Sequence, residues 1–204
     1  MNECLFALQT HFEEKQKPIR SFFLALHRMK LLENDNIRLR ALEPGDLPLL
    51  YKWENDSSLW EFGSTLSPYS KSALEEYIRD SRLDIYTARQ LRLMIELKHE
   101  GNATIGTIDL YDFDPHHNRA GIGILIDPAY QKRGFAAEAL GLMEEYAFSF
   151  LLMHQLYAYV PNTNTTSLSL FRRAGYQPAG VLKKWLVVIG GHRDDVTVLQ
   201  KLAN

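Results

Sequence analysis

The 204-residue chain is poor in cysteine, and its single Cys4 excludes an internal disulfide and any cysteine-based zinc site. No apolar run approaches the ~18 residues of a membrane span. The N-terminus carries Glu3 and lacks the basic region of a signal peptide. Charge of one sign is also scarce. With 23 Lys+Arg against 25 Asp+Glu the net charge is −2, too small to hold a nucleic acid or an acidic lipid surface by bulk electrostatics. Neither G-x-x-x-x-G-K-[ST] nor G-x-G-x-x-G occurs, so the common phosphate loops of nucleotide enzymes are missing. His116-His117 has no third ligand at zinc spacing, and no metal is expected. These absences leave a protein of a reducing, cytoplasmic setting with no nucleic-acid or membrane partner.

What is present is a core-forming chain, 46% apolar and 24% charged, sized for one domain. Residues 1–33 read as an N-terminal extension: a misassigned start, a docked arm or an extra packed helix. From residue 34 the pattern is orderly. Ile37, Leu39 and Ala41 alternate as a strand, "EPGDL" starts a helix, and Ser72–Arg82 has a helical stripe. Leu91–Leu97 and Ala103–Leu110 form a hairpin about Gly101-Asn102, and Arg119–Ile126 follows. Ala136 to Phe150 keeps helical spacing, "QLYAYV" is a strand, and Asn164–Ala174 is a helix stopped by Gly175. Two late strands, about Gly180–Ile189 and Val196–Lys201, flank "GGHRD". The order β-α-α-β-β-β-α-β-α-β-β implies a mixed α/β sheet with an antiparallel front half.

The informative stretch is "YQKRGFAAEAL", Tyr130–Leu140, where a glycine between basic and apolar residues opens a helix. The first turn of a helix leaves backbone N–H groups unpaired at the positive end of the dipole, and Gly134 and Ala136 let a phosphate come close. Lys132 and Arg133 add charge at the rim. Gln131-Lys132-Arg133-Gly134-Phe135-Ala136 resembles the Q/R-x-x-G-x-G/A motif of the GNAT superfamily of acyl-CoA-dependent N-acyltransferases. Asn164-Thr-Thr-Ser167 followed by "LSLFRRAGY" is similar to the later motif of that family. Asn164 is an equally good helix cap. "IRLRALEPGDL" and "GGHRDDVTVLQK" resemble the branch of diamine/spermidine and ribosomal-protein N-terminal acetyltransferases.

The resemblance implies a single domain over residues 34–204 of α/β (α+β) type. It has a mixed, mostly antiparallel sheet of about seven strands, flanking helices and a splayed strand pair at the cofactor cleft. It also implies acetyl-CoA as co-substrate, held by Gln131 to Ala136, Asn164, Ser167 and Phe171, with backbone N–H groups of Leu125, Ile126 and Asp127 polarising the thioester. The acceptor is a small amine, most simply a diamine or polyamine. Trp53, Glu54, Trp60 and Glu61 stand where the family places its acceptor loop. A peptide N-terminus is the alternative acceptor, and an acyl-CoA-binding regulatory module the non-enzymatic alternative.

Two catalytic positions depart from the family. The strand glutamate is replaced by Gly121, and the thiolate-protonating tyrosine of the late helix by Phe171. Candidate replacements for the base are Asp109, Asp112, His116 and His117, since an imidazole titrates near neutrality. Tyr157, Tyr159, Tyr176 and Ser167 are candidates for the acid. Gly121 and Gly123 are read as making room for the acceptor or a bulge. A closed homodimer is the default assembly.

Overall fold

The structure is a computed structural model and describes residues 31–60, 65–188 and 190–203. Residues 1–30 of the expected extension, and Glu61, lie outside the described residues. Strand β1 (Ile37–Ala41) passes through a 3-10 turn, Pro44–Asp46, into α1 (Leu47–Glu54), α2 (Ser57–Trp60), α3 (Lys71–Asp80) and α4 (Ile85–Ala88). Strands β2 (Leu91–Leu97), β3 (Thr104–Asp114) and β4 (Arg119–Ile126) follow. A second 3-10 turn, Pro128–Tyr130, leads to α5 (Phe135–Glu145), which runs on into a π-helical turn, Tyr146–Phe150. Then come β5 (Gln155–Pro161), α6 (Thr165–Arg173), β6 (Gln177–Val187) and β7 (Arg193–Leu202).

The seven strands form one sheet in the order β1-β2-β3-β4-β5-β7-β6. Every pair is antiparallel except β4–β5. The expected sheet is therefore present, and α5 is the crossover that a parallel pair requires. Alternation along β4 sends Ala120, Ile122 and Ile126 to one face, where they join Leu140, Met143 and Ala147 from α5 and the turn after it. Leu125 points to the other face, against a smaller cluster of Leu50, Trp53, Leu74, Ile78 and Met94 under α1 and α3.

The helix starts follow local chemistry. The Ser70 hydroxyl accepts from the Ala73 N–H at the start of α3, and the Asn164 side chain accepts from the Ser167 N–H at the start of α6. Pro48 occupies the first turn of α1, where its missing N–H costs no bond. The single-turn helices α2 and α4 escape a periodicity reading because four residues carry no apolar stripe. Strand β3 runs on through Asp114 rather than stopping at Leu110. A bulge after Tyr111, with Asp112 at φ 48°, absorbs the irregularity without ending the pairing.

Candidate active site

Pairing between β4 and β5 covers only Arg119↔Gln155, Ala120↔Leu156 and Gly121↔Tyr157. Beyond Gly121 the strands part, as the resemblance implied. The Asp127 N–H donates to the Ile105 carbonyl at 2.8 Å, which sets the ladder phase. Leu125 and Asp127 thus turn their N–H groups to β3, while Ile124 and Ile126 turn theirs to the gap. This corrects the expectation for the thioester donors. Of Leu125, Ile126 and Asp127 only Ile126 directs its N–H to the gap, and Ile124 shares that orientation. The Ile126 carbonyl is occupied by the Gln131 amide, which donates to it at 2.9 Å.

Asp127 acts as a brace. Its carboxylate accepts from Lys52 Nζ at 2.6 Å, the Trp53 indole at 2.8 Å and the Ala129 N–H at 3.0 Å. Burial alone would raise its pKa, but these donors outweigh it and hold the group below the usual carboxylate range. The strand end is thereby fixed to α1 and to the turn that follows. In that turn Lys132 has φ 60° and Gly134 φ 92°, so the N–H groups ahead of Ala137 converge at the start of α5, as in an anion-binding nest. Lys132 lines the cleft and forms no ion pair among the described residues. Arg133 does not serve there. It pairs with Glu100, and its guanidinium lies over the Phe135 ring, 4.9 Å from the centroid.

A cleft of about 1880 Å³ joins this turn to the far side of the gap. Its donor end is lined by Gln131, Gly134, Phe135 and Ala136, and by Asn164, Ser167 and Leu170 of the α6 segment. Phe171, expected at the cofactor, is only 3% exposed and packs edge-on against Tyr176 at 5.0 Å. It belongs to the core under α6. Asn164 and Ser167 are the members of that motif that line the cleft.

At the acceptor end the cleft is lined by Trp53, Glu54, Trp60, Tyr77, Arg92 and Asp109. Trp60 is fixed by its indole, which donates to the Glu54 carbonyl at 2.8 Å. Arg92 Nη1 reaches Glu54 Oε1 at 2.6 Å, its Nε pairs with Asp109, and the guanidinium sits 5.2 Å from the Tyr77 ring centroid. Burial would lower the Arg92 pKa, but Asp109, Tyr77 and Glu54 more than reverse it and Arg92 stays charged. Burial also pushes the Tyr77 phenol up to about 12. Arg92 and Tyr77 escaped the sequence reading. The available signal was Arg92 on the same strand face as the fully buried Met94, since a charge there needs a partner.

Several expected catalytic groups lie elsewhere. His116 and His117 sit in the exposed β3–β4 turn, where Asp114 accepts from both N–H groups at 3.1 Å. Strand rise places that turn on the order of 20 Å from Ile126, so neither is a base for the cleft. Tyr157 and Tyr159 meet edge-on with centroids 5.4 Å apart, outside the cleft lining. The Tyr157 hydroxyl is 3.5 Å from Asp112, which also lies off the cleft. Tyr176 is buried beside Glu144, and burial raises its pKa far from any acid role. Gly121 makes no room for an acceptor, because the Tyr111 ring lies across it, whereas Gly123 lines the cleft. A Cβ on Gly121 would be 2.2 Å from Tyr111 Cε2. Among the described residues no group of three His, Cys, Asp or Glu is placed to hold a metal. No helix among them is long and apolar enough to cross a membrane.

Comparison with known proteins meets this geometry. The model of the acetyltransferase (GNAT) domain matches residues 36–177. Spermidine N(1)-acetyltransferase of Escherichia coli (strain K12) is 26% identical over 164 residues, 79% of this chain and 83% of the relative. The enzyme of that name from Vibrio cholerae is 26% identical over 161 residues, covering 79% and 90%. The crystal structure of the Vibrio cholerae spermidine N-acetyltransferase in complex with CoA and spermine superposes with a TM-score of 0.74 at 27% identity, covering 83% of this chain and 97% of that one. A dodecameric form of that enzyme superposes with a TM-score of 0.70 at 28% identity, covering 83% and 95%. The parted β4–β5 pair, the glycine turn at α5 and the match over residues 36–177 agree: this chain belongs to the GNAT acetyltransferases.

Proposed function

We propose that this N-acetyltransferase moves the acetyl group of acetyl-CoA to a primary amine of a diamine or polyamine. The observation that carries the reading is one continuous cleft joining the phosphate-binding turn at Gly134 to an acidic, aromatic pocket through the β4–β5 gap. The open N–H groups of α5 and Lys132 suit a pyrophosphate. Gly134 and Ala136 leave room for a pantetheine arm on the path to the gap, and Ser167 adds a hydroxyl beside it.

In the reaction the amine nitrogen bonds to the acetyl carbon and the carbon–sulfur bond breaks. One proton leaves nitrogen and one reaches sulfur. The gap-facing N–H groups of Ile124 and Ile126 stabilise the oxyanion. With no imidazole among the described residues of the cleft lining, Asp109 receives the amine proton through water, and the sulfur is protonated through water held near Ser167. Proximity of amine and polarised thioester supplies much of the remaining acceleration.

Glu54 and Asp109 seat the ammonium while Trp53, Trp60 and Tyr77 wall the carbon chain. One observation favours a second acceptor class. Arg92 offsets one of the two carboxylates, leaving a single net negative charge that also matches a peptide α-amine. Thiol release from acetyl-CoA with putrescine, spermidine and N-terminal peptides separates the readings. Preference for peptides sinks the polyamine acceptor, and acetyl-CoA binding without amine-dependent thiol release sinks the enzyme in favour of a regulatory module. Self-assembly, which a relative's dodecamer suggests, is tested by light scattering.

A further inference from the structure

Tyr111 is the last residue of β3 before the bulge, and it pairs with Gly121 of β4. Gly121 is in turn the last β4 residue that pairs with β5. The Tyr111 ring therefore sits at the fork where the sheet opens. A Cβ on Gly121 would lie 2.2, 2.3 and 2.7 Å from its Cε2, Cζ and Cδ2, and one on Gly123 would lie 3.7 Å from its Cε1. The ring thus covers Gly121 and borders Gly123, which still lines the cleft. Its far edge meets Tyr157 of β5 edge-on, with centroids 6.1 Å apart. Burial raises the phenol's pKa, which the nearby Tyr159 backbone N–H only partly offsets. Tyr159 follows Tyr157 by two residues, so its N–H belongs to the first stretch of β5 that β4 no longer reaches.

We propose that Tyr111 is a positioning residue for acetyl transfer: its ring, held over the last paired rung of β4 and β5, wedges the strands apart beyond Gly121. The inference rests on the donor reading above. The ring stands on Gly121 and against Tyr157, the two residues of that rung, and so sets where the pairing ends. The bulge at Asp112 lets β3 turn away after delivering the ring. Gly121 is then a condition of the wedge, because any side chain there occupies the volume of the ring. This accounts for the missing glutamate. A carboxylate at position 121 and a tyrosine at 111 exclude each other. The acceptor is left to approach from the Trp53, Glu54 and Asp109 side, where the cleft is open.

The test is a cycle of Tyr111→Ala, Gly121→Ala and the double variant, with Tyr111→Phe as the conservative change. Tyr111→Ala is expected to raise the acetyl-CoA KM by ~10-fold or more while the amine KM moves less than ~2-fold. Tyr111→Phe keeps the ring, so its donor KM stays within ~3-fold and amide exchange at Tyr159 is unchanged, whereas Tyr111→Ala lets the strands close and slows that exchange. Gly121→Ala is expected to harm donor binding as Tyr111→Ala does, and that harm disappears in the Tyr111→Ala background. Unchanged donor KM in Tyr111→Ala, or full harm from Gly121→Ala without the ring, overturns the wedge. Tyr111→Leu serves the same comparison should Tyr111→Ala not fold. A wild-type protein that binds no acetyl-CoA refutes the donor reading instead, and exchange at Tyr159 still reports on the wedge.

Discussion

Gly134 is the position where backbone shape and donor binding can be separated. Its φ of 92° is left-handed, and a Cβ built on it meets nothing within 4 Å. A clash of alanine with the protein itself is thus excluded, and in the free protein what alanine brings is the left-handed penalty of roughly 1–2 kcal/mol. If the turn keeps its shape, global stability falls by that amount. If the turn relaxes, the N–H groups ahead of Ala137 lose their convergence and the cost appears as roughly 5- to 30-fold weaker binding. Because the turn is held by Gln131, by the exposed Arg133–Glu100 pair and by the first bonds of α5 rather than by core packing, we expect relaxation. Gly134→Ala should then weaken CoA binding by calorimetry, with little change in the urea midpoint. Gly134→Asn, which tolerates the left-handed region, should weaken it less. CoA affinity that is unchanged in Gly134→Ala, or lower in the asparagine variant than in the alanine one, would refute the role given to this turn.

Three further outcomes follow from the same geometry. Arg92→Met leaves Glu54 and Asp109 facing each other in a largely buried site, so urea unfolding should show a loss on the order of 3 kcal/mol and the amine KM should rise. At Asp46, burial raises the carboxyl pKa but the Arg40 fork and the Glu43 N–H lower it further, so the folded value lies below the unfolded one. That stabilisation is complete above the unfolded pKa of 3.8 and is lost as pH falls through the depressed folded value. Asp46→Asn should flatten the stability profile in this acid window. His116→Ala and His117→Ala should leave kcat/KM within ~2-fold and the pH–rate profile unchanged, since both rings stand outside the cleft.

What the sequence made legible depended on how local the determinant was. The turn at Gln131–Ala136 and the cap at Asn164 are fixed by residues within one helical turn, so their motifs translated directly into structure. The strands of the sheet were legible for a similar reason, because alternation along β4 names the two faces. The catalytic groups were not, because their places depend on register across three strands. His116 and His117 are close to β4 in sequence, yet the hairpin carries them to the end opposite the gap. Gly121 reads as a missing glutamate until Tyr111 is seen across the ladder. Arg92 reads as the solvent side of a hairpin strand until α1 and α3 cover it. Phe171 sits at helical spacing from Ser167, but the turn between them carries it over onto the core.

The central claim is that one cleft seats acetyl-CoA at the Gly134 turn and the amine between Glu54 and Asp109, with the β4–β5 gap between them. A covalent spermidine–CoA conjugate tests it most directly, since only a molecule reaching both ends gains from both. Calorimetry should give a Kd at least ~100-fold tighter than that of CoA alone, as linked binding at two connected sites requires. That advantage should shrink when Glu54 and Asp109 are changed to glutamine and asparagine. A conjugate that binds no tighter than CoA would contradict the account.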